Sequence, residues 1–158
     1  RHLRRLPGRS SLVVVGEGPE RPKLKVLAKT LKIADKVVFL GHVEAVEEVL
    51  SRLDVFALTS RTEQMPNSIL QAMAAGKPIA AVDVGDVQRM LAPENRAFVV
   101  PGDDQRRFAR GLEQLLADSK LRRNLGRKNQ THVQAHYPQE RMFKAYEAMF
   151  EEAVKSAT

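Results

Sequence analysis

A carboxylate, Glu63, and a proline-led helix start, Pro66-Asn67-Ser68-Ile69, lie directly behind the apolar run Leu53 to Leu58. That run reads as a buried strand, and ligands of open α/β sheets collect in the crevice outside the carboxyl ends of such strands. Asn67 to Ala75 reads as a helix closed by Gly76. Its first backbone N–H groups have no intrahelical partner and are expected to face an anion in the crevice that holds Glu63. The chemistry this arrangement suits is binding of a phosphorylated ligand.

Two further turns could join that crevice. Gly16-Glu17-Gly18 follows the apolar run Leu12 to Val15 and looks like the start of a dinucleotide fingerprint, but the third Gly of that pattern falls on Arg21. A tight strand-to-helix turn explains the spacing without a ligand. Gly41-His42-Val43 closes a second apolar run, and a catalytic role for His42 is not expected. His132 and His136 share a helix face at a spacing two metal ligands could use, yet no acidic partner or third ligand accompanies them in a known motif, so no metal site is expected. Asp103-Asp104 precedes a helix and is read as an N-cap. Met65, Met73 and Met90 are read as packing residues.

The elements that must position these residues alternate. Apolar runs at Leu12 to Val15, Val37 to Leu40, Val55 to Leu58, Ile79 to Val82 and Phe98 to Val100 are short, rich in Val, and end in Gly, Ser or Asp, as buried parallel strands do. Helical patterns lie between them at Lys23 to Leu31, Val43 to Leu50 and Ile69 to Ala75. Three more helices close the chain, from about Gln105 to Leu116, Leu121 to Ala135 and Gln139 to Val154. This alternation predicts right-handed βαβ units and a Rossmann-like, doubly wound parallel sheet in a three-layer α/β/α domain.

Composition bounds the function. With 158 residues and 43% hydrophobic content, the chain can bury a core and reads as one domain spanning 1–158. The absence of Cys removes disulfides and Cys-based metal sites and fits a reducing compartment, so the expected location is the cytoplasm. No apolar run approaches the roughly 20 residues of a membrane span. The net charge of +7 favours phosphorylated ligands or acidic headgroups, and any membrane contact is expected to be peripheral, at the inner face. Only 5% of residues are aromatic and no recognised nucleic-acid motif occurs, so nucleic acid is not an expected partner.

The stretch from Glu63 to Pro78 resembles the C-terminal, nucleotide-sugar half of the group 1 retaining glycosyltransferases. In that family a Glu is followed after seven residues by another Glu and then by Ala-Met-Ala-Ala-Gly-x-Pro. Here Glu63 matches the first Glu, Gln71 stands in place of the second, Gln64 stands where Gly is usual, and Ala72 to Pro78 retains the remainder. The strand end Val15-Gly16-Glu17-Gly18-Pro19, the strand end Phe39-Leu40-Gly41, and the later pieces Val82-Asp83-Val84-Gly85 and Phe98 to Asp103 follow in the family's order. The resemblance runs from about Leu12 to about Phe150.

The resemblance implies a GT-B type fold and a nucleotide-diphosphate sugar donor held without a metal or other cofactor. It implies a catalytic-centre role for Glu63, orienting the sugar by its hydroxyl groups and favouring the oxocarbenium-like charge of a retaining transfer. Donor contacts are implied for Gly16, Glu17 and Gly18 at the diphosphate or sugar, for Gly41, His42 and Val43 at the base, and for Pro66, Asn67, Ser68 and Ile69 along the helix start. Gln71 falls where the family's Glu holds the ribose, and a Gln offers one oxygen acceptor in place of a carboxylate. The implied acceptor is a polysaccharide, a glycolipid or a similar glycan or lipid-linked molecule. The resemblance also implies an earlier strand and helix carrying a basic pair for the diphosphate, and an N-terminal acceptor domain before that. The chain is thus expected to be inactive alone, with Arg1 to Leu6 as a helix tail and the closing helix, 138–156, presenting Met142, Tyr146, Met149 and Phe150 to a neighbouring domain. Two alternatives stay open: a non-catalytic domain binding a nucleotide sugar or offering a basic surface, and a nucleotide-sugar epimerase of the same architecture.

Overall fold

The structure, a computed structural model, describes residues 10–156. The expected helix tail at Arg1 to Leu6 lies outside the described residues. Five strands and seven helices follow one another as β1 (Leu12–Val15), α1 (Arg21–Thr30), β2 (Val37–Gly41), α2 (Val46–Arg52), β3 (Phe56–Leu58), α3 (Asn67–Ala74), β4 (Ile79–Val82), α4 (Val87–Met90), β5 (Val99–Val100), α5 (Gln105–Ala117), α6 (Ser119–His136) and α7 (Gln139–Ser156). Every strand pair is parallel.

The core is built around β4, where Ile79, Ala80 and Ala81 are all buried. One face of its sheet packs Leu58, Ile79, Ala81 and Val99 against Ile69 and Met73 of α3 and Met90 of α4. The other packs Ala80 against Leu115 of α5 and Leu125 of α6. Both faces are covered by helices, which is why β4 reads as an unbroken apolar run. The helix ends follow their chemistry. Asp104 accepts from the Arg107 N–H at 2.8 Å and caps α5, as its position before the helix predicts. Asp118 does the same for α6, accepting from Lys120 and Leu121 at 2.9 Å.

The structure differs from the sequence reading in five places. The strands form two hydrogen-bonded groups, β1-β2 and β3-β4-β5, so the single sheet is split between β1 and β3. Helix α2 begins at Val46, three residues later than periodicity suggests, and Phe98 belongs to a 3-10 turn, Pro93–Phe98, that leads into β5. The short α4 interrupts what reads as loop because Val87 and Met90, one turn apart, both bury completely. Met65 does not pack: its side chain is exposed on the loop before α3, whereas Met73 and Met90 are core residues.

The closing helix α7 has no buried residue, and Met142, Tyr146, Met149 and Phe150 form an exposed apolar stripe along it. On α6, the rings of His132 and His136 stack with centroids 4.2 Å apart. Partial burial of His132, then the charge of His136 and that of Arg96, hold its pKa below the ordinary 6.5, with Glu94 opposing. A histidine depressed in the folded state binds fewer protons there than in the unfolded chain. Its cost to stability is therefore absent above 6.5, grows as pH falls through the unfolded value, and is complete below the folded value. Urea unfolding at about pH 7.5 and about pH 5 should show this loss, and His132→Gln should shrink it. An unchanged pH dependence in that variant would show that His132 is not its source.

Candidate functional site

The sequence-predicted residues gather at the carboxyl ends of the strands, in two groups. In the first, β1 and β2 end side by side, and the Gly16 N–H donates to the Gly41 carbonyl oxygen at 2.7 Å. Gly16, Glu17, Gly18 and His42 are exposed there, Val43 is half-buried and Gly41 is buried. Glu17 is engaged within the protein: its carboxylate pairs with the guanidinium of Arg21, which also donates to the Phe39 carbonyl oxygen at 3.3 Å. Arg21 is the residue that sequence reasoning passed over, noting it only as a missing glycine. Its Nε is buried without a hydrogen-bond partner, so a cation stands beside the Gly16–Gly41 turn. The spacing of four residues from Glu17, which favours an ion pair on a helix start, was the available signal.

In the second group, the loop leaving β3 carries Glu63, half-buried, back over the end of β4. Gly85, at φ +56°, runs so close beneath it that a Cβ would overlap the carbonyl oxygens of Glu63 and Gln64. The Asp86 N–H donates to the Gln64 carbonyl oxygen at 2.8 Å. The loop is thus fixed through its backbone, and among the described residues no hydrogen bond or ion pair engages the Glu63 carboxylate. Gln64, in the place of a family Gly, is exposed, and its carbonyl oxygen meets the segment between β4 and α4.

Helix α3 starts from this same loop. Pro66 is buried at its N-cap with extended backbone angles and no side chain caps the helix. Asn67 is exposed and Ser68 half-buried, which leaves the first turn open to solvent. The Ile69 side chain is wholly buried in the core, and its N–H is donated to the Pro66 carbonyl oxygen at 3.0 Å. It anchors the helix start. Gln71 lies one turn beyond Asn67 and is exposed.

The two groups are not hydrogen-bonded to one another, because β1 and β3 are not paired. Among the described residues, no group of three or more His, Cys, Asp or Glu could hold a metal ion. No helix among them is long and apolar enough to cross a membrane.

Comparison with known proteins supplies the family. The N-acetyl-α-D-glucosaminyl L-malate synthase of Bacillus anthracis is 30% identical over 146 residues, which is 92% of this chain and 38% of that protein. The sucrose-phosphate synthase of Thermosynechococcus elongatus superposes with a TM-score of 0.84 at 27% identity, over 96% of this chain and 41% of that one. Anabaena HepE, solved in complex with UDP, shares the fold with a TM-score of 0.84 at 18% identity, over 96% of this chain and 43% of that one. The chain therefore spans about two fifths of the length of these relatives. The profile of the family described as "Glycosyl transferases group 1" matches residues 2–132, and the chain belongs to that family.

Proposed function

We propose that this chain is the donor-binding domain of a retaining glycosyltransferase, taking a nucleotide-diphosphate sugar without a metal and working on a glycan or lipid-linked acceptor. The observation that carries the reading is the family match together with the way Glu63 to Pro78 folds: strand end, backbone-anchored loop with an unengaged carboxylate, open helix start. Sugar hydroxyls meet Glu63, the diphosphate meets the first turn of α3 and the Arg21 side of the Gly16 turn, and the nucleoside lies along Gly41 to Val43. HepE, of the same fold, is bound to UDP in its structure, and a nucleoside diphosphate is the ligand this reading assigns here. Transfer needs an acceptor brought into line and water kept out, so the 158-residue chain alone binds donor without transferring it.

Ligand-detected NMR with a panel of nucleotide sugars and the matching free nucleotides tests this. Saturation transfer to the nucleotide protons of at least one donor is expected, and silence across the panel at millimolar ligand would leave a non-catalytic domain. Within that experiment Gln71→Glu is informative. Ribose hydroxyls donating to a carboxylate make hydrogen bonds worth about 1.5–3 kcal/mol against about 1 for a neutral acceptor, so the donor should bind around tenfold tighter. Unchanged affinity would place the ribose away from α3.

A further inference from the structure

The ion pair between Glu17 and Arg21 lies across a strand end that has no side chain of its own. A Cβ on Gly41 would overlap Glu17 Oε1 and stand 3.3 Å from Arg21 Nη1, so only a glycine at the end of β2 lets the pair rest there. Both acceptors that hold Arg21 belong to the chain: the Glu17 carboxylate on Nη1, and the Phe39 carbonyl oxygen 3.3 Å from Nη2. Its Nε is buried with no hydrogen-bond partner. A guanidinium presents its N–H groups as a fork suited to two oxygens at once, and burying one of them unmatched is costly. The pair therefore fits Arg21 poorly. It is also weakly held, since the two side chains are 30% and 53% exposed and an ion pair so open to water adds little stability. Glu17 has room to leave. It stands between Gly16, at φ +113°, and Gly18, and a Cβ on either glycine would meet no atom within 4 Å.

We propose that Glu17 is a displaceable internal anion, which holds Arg21 until the phosphate groups of an incoming ligand take its place. A diphosphate carries more negative charge than a single carboxylate and offers paired oxygens to the guanidinium fork. On exchange, Glu17 swings outward on its flanking glycines and Arg21 turns Nε and Nη toward the phosphate oxygens. The space over Gly41 is then clear. That clearance matters for the nucleoside, which the donor reading lays along Gly41 to Val43. The inference rests on that reading for the rest of the ligand, and on the geometry of the pair for the anion. The empty and occupied states thus differ by an exchange of partners, so affinity is set by the phosphate's advantage over Glu17 and not by the charge of Arg21 alone.

The probe is inorganic pyrophosphate added to the 158-residue chain, and the readouts are calorimetric affinity and the NMR signal of the Arg21 Nε–H. That signal should move on titration. Glu17→Gln keeps the shape and removes the charge, and it should bind pyrophosphate about tenfold tighter, whereas Arg21→Gln should bind it at least about tenfold more weakly. Glu20→Gln controls for charge alone. Glu20 neighbours the same turn but pairs with Lys23 at 2.6 Å, and its neutralisation should change affinity by less than about twofold. An affinity in Glu17→Gln equal to or below that of the wild type would show that Glu17 only steadies Arg21, and an equal gain in Glu20→Gln would reduce the effect to net charge. Either result overturns the proposal, as does an Arg21 signal that stays in place at millimolar pyrophosphate. UDP or GDP bound with that signal unmoved would overturn this inference and leave the donor reading standing. Pyrophosphate exchange without binding of either nucleotide would do the reverse.

Discussion

Glu63→Ala is expected to lower sugar transfer by the intact transferase roughly 10²- to 10³-fold while leaving affinity for the free nucleotide unchanged. The asymmetry comes from where Glu63 stands. Its loop is tied to the segment between β4 and α4 by the Asp86–Gln64 hydrogen bond and by the close passage of Gly85, so truncating the side chain removes the carboxylate without releasing the backbone. Helix α3 keeps its own anchors in Pro66 and Ile69. A sugar approaching its transition state gains positive charge and loses a negatively charged acceptor of its hydroxyl hydrogen bonds, whereas the nucleotide, assigned to the other contacts, loses nothing. Glu63→Gln keeps the shape and one acceptor, so it should fall between wild type and alanine. Calorimetry with the nucleotide and with the nucleotide sugar, beside turnover measurements, separates the effects. Equal weakening of nucleotide and sugar nucleotide would mean that Glu63 holds the loop and not the sugar, and intact transfer would remove it from the reaction.

What could be read in advance and what could not divide along the type of information involved. The runs at Ile79 and Val99 are strands buried among apolar neighbours, and that environment is written in the residues themselves. The Asp104 cap and the Gly76 helix stop are equally local, needing only a side-chain acceptor or a positive φ at the right position. The split between β1 and β3 was not legible in the same way, since the runs that form the two groups are alike in composition and a strand's sequence does not say which edge is left open. The burial of the Ile69 side chain was not legible either, because a helix start that faces a crevice has a buried side too, and the residue type alone does not choose between them. The Glu17–Arg21 pair was missed for the opposite reason: the glycines around it drew the reading toward a ligand, while the charges four residues apart were already each other's partner. The family resemblance thus named the residues expected to meet a ligand, and the structure shows which of their side chains are engaged within the protein.

Gly126→Ala should lower the melting temperature by roughly 5–10 °C, against the usual direction of that substitution in a helix. Helix propensity alone favours alanine over glycine by about 1 kcal/mol. Here, however, Gly126 on α6 lies against the Gly76 carbonyl oxygen, where α3 ends, and a Cβ would overlap that oxygen and crowd the carbonyl carbon at 2.9 Å. Backbone atoms on both sides leave little room to yield, so overpacking costs about 1–3 kcal/mol or more. The same face of α6 makes the joint's polar contacts: Asn129 Nδ2 donates to the Lys77 carbonyl oxygen at 2.9 Å, and Gln130 Nε2 to that of Ala74 at 2.9 Å. These carbonyls lie at and just beyond the end of α3, and pushing α6 outward strips them of partners at about 1 kcal/mol each. The losses exceed the propensity gain by about 2–4 kcal/mol. Gly111→Ala in α5 is the matched control, because its added Cβ would meet only Phe98 Cδ1, at 3.4 Å. There the propensity gain should survive as a small rise in melting temperature. Calorimetric scans of both variants decide it: an unchanged or raised transition in Gly126→Ala would show that α6 rides on α3 with slack, and that the floor under Asn67 and Gln71 is less rigid than this joint requires.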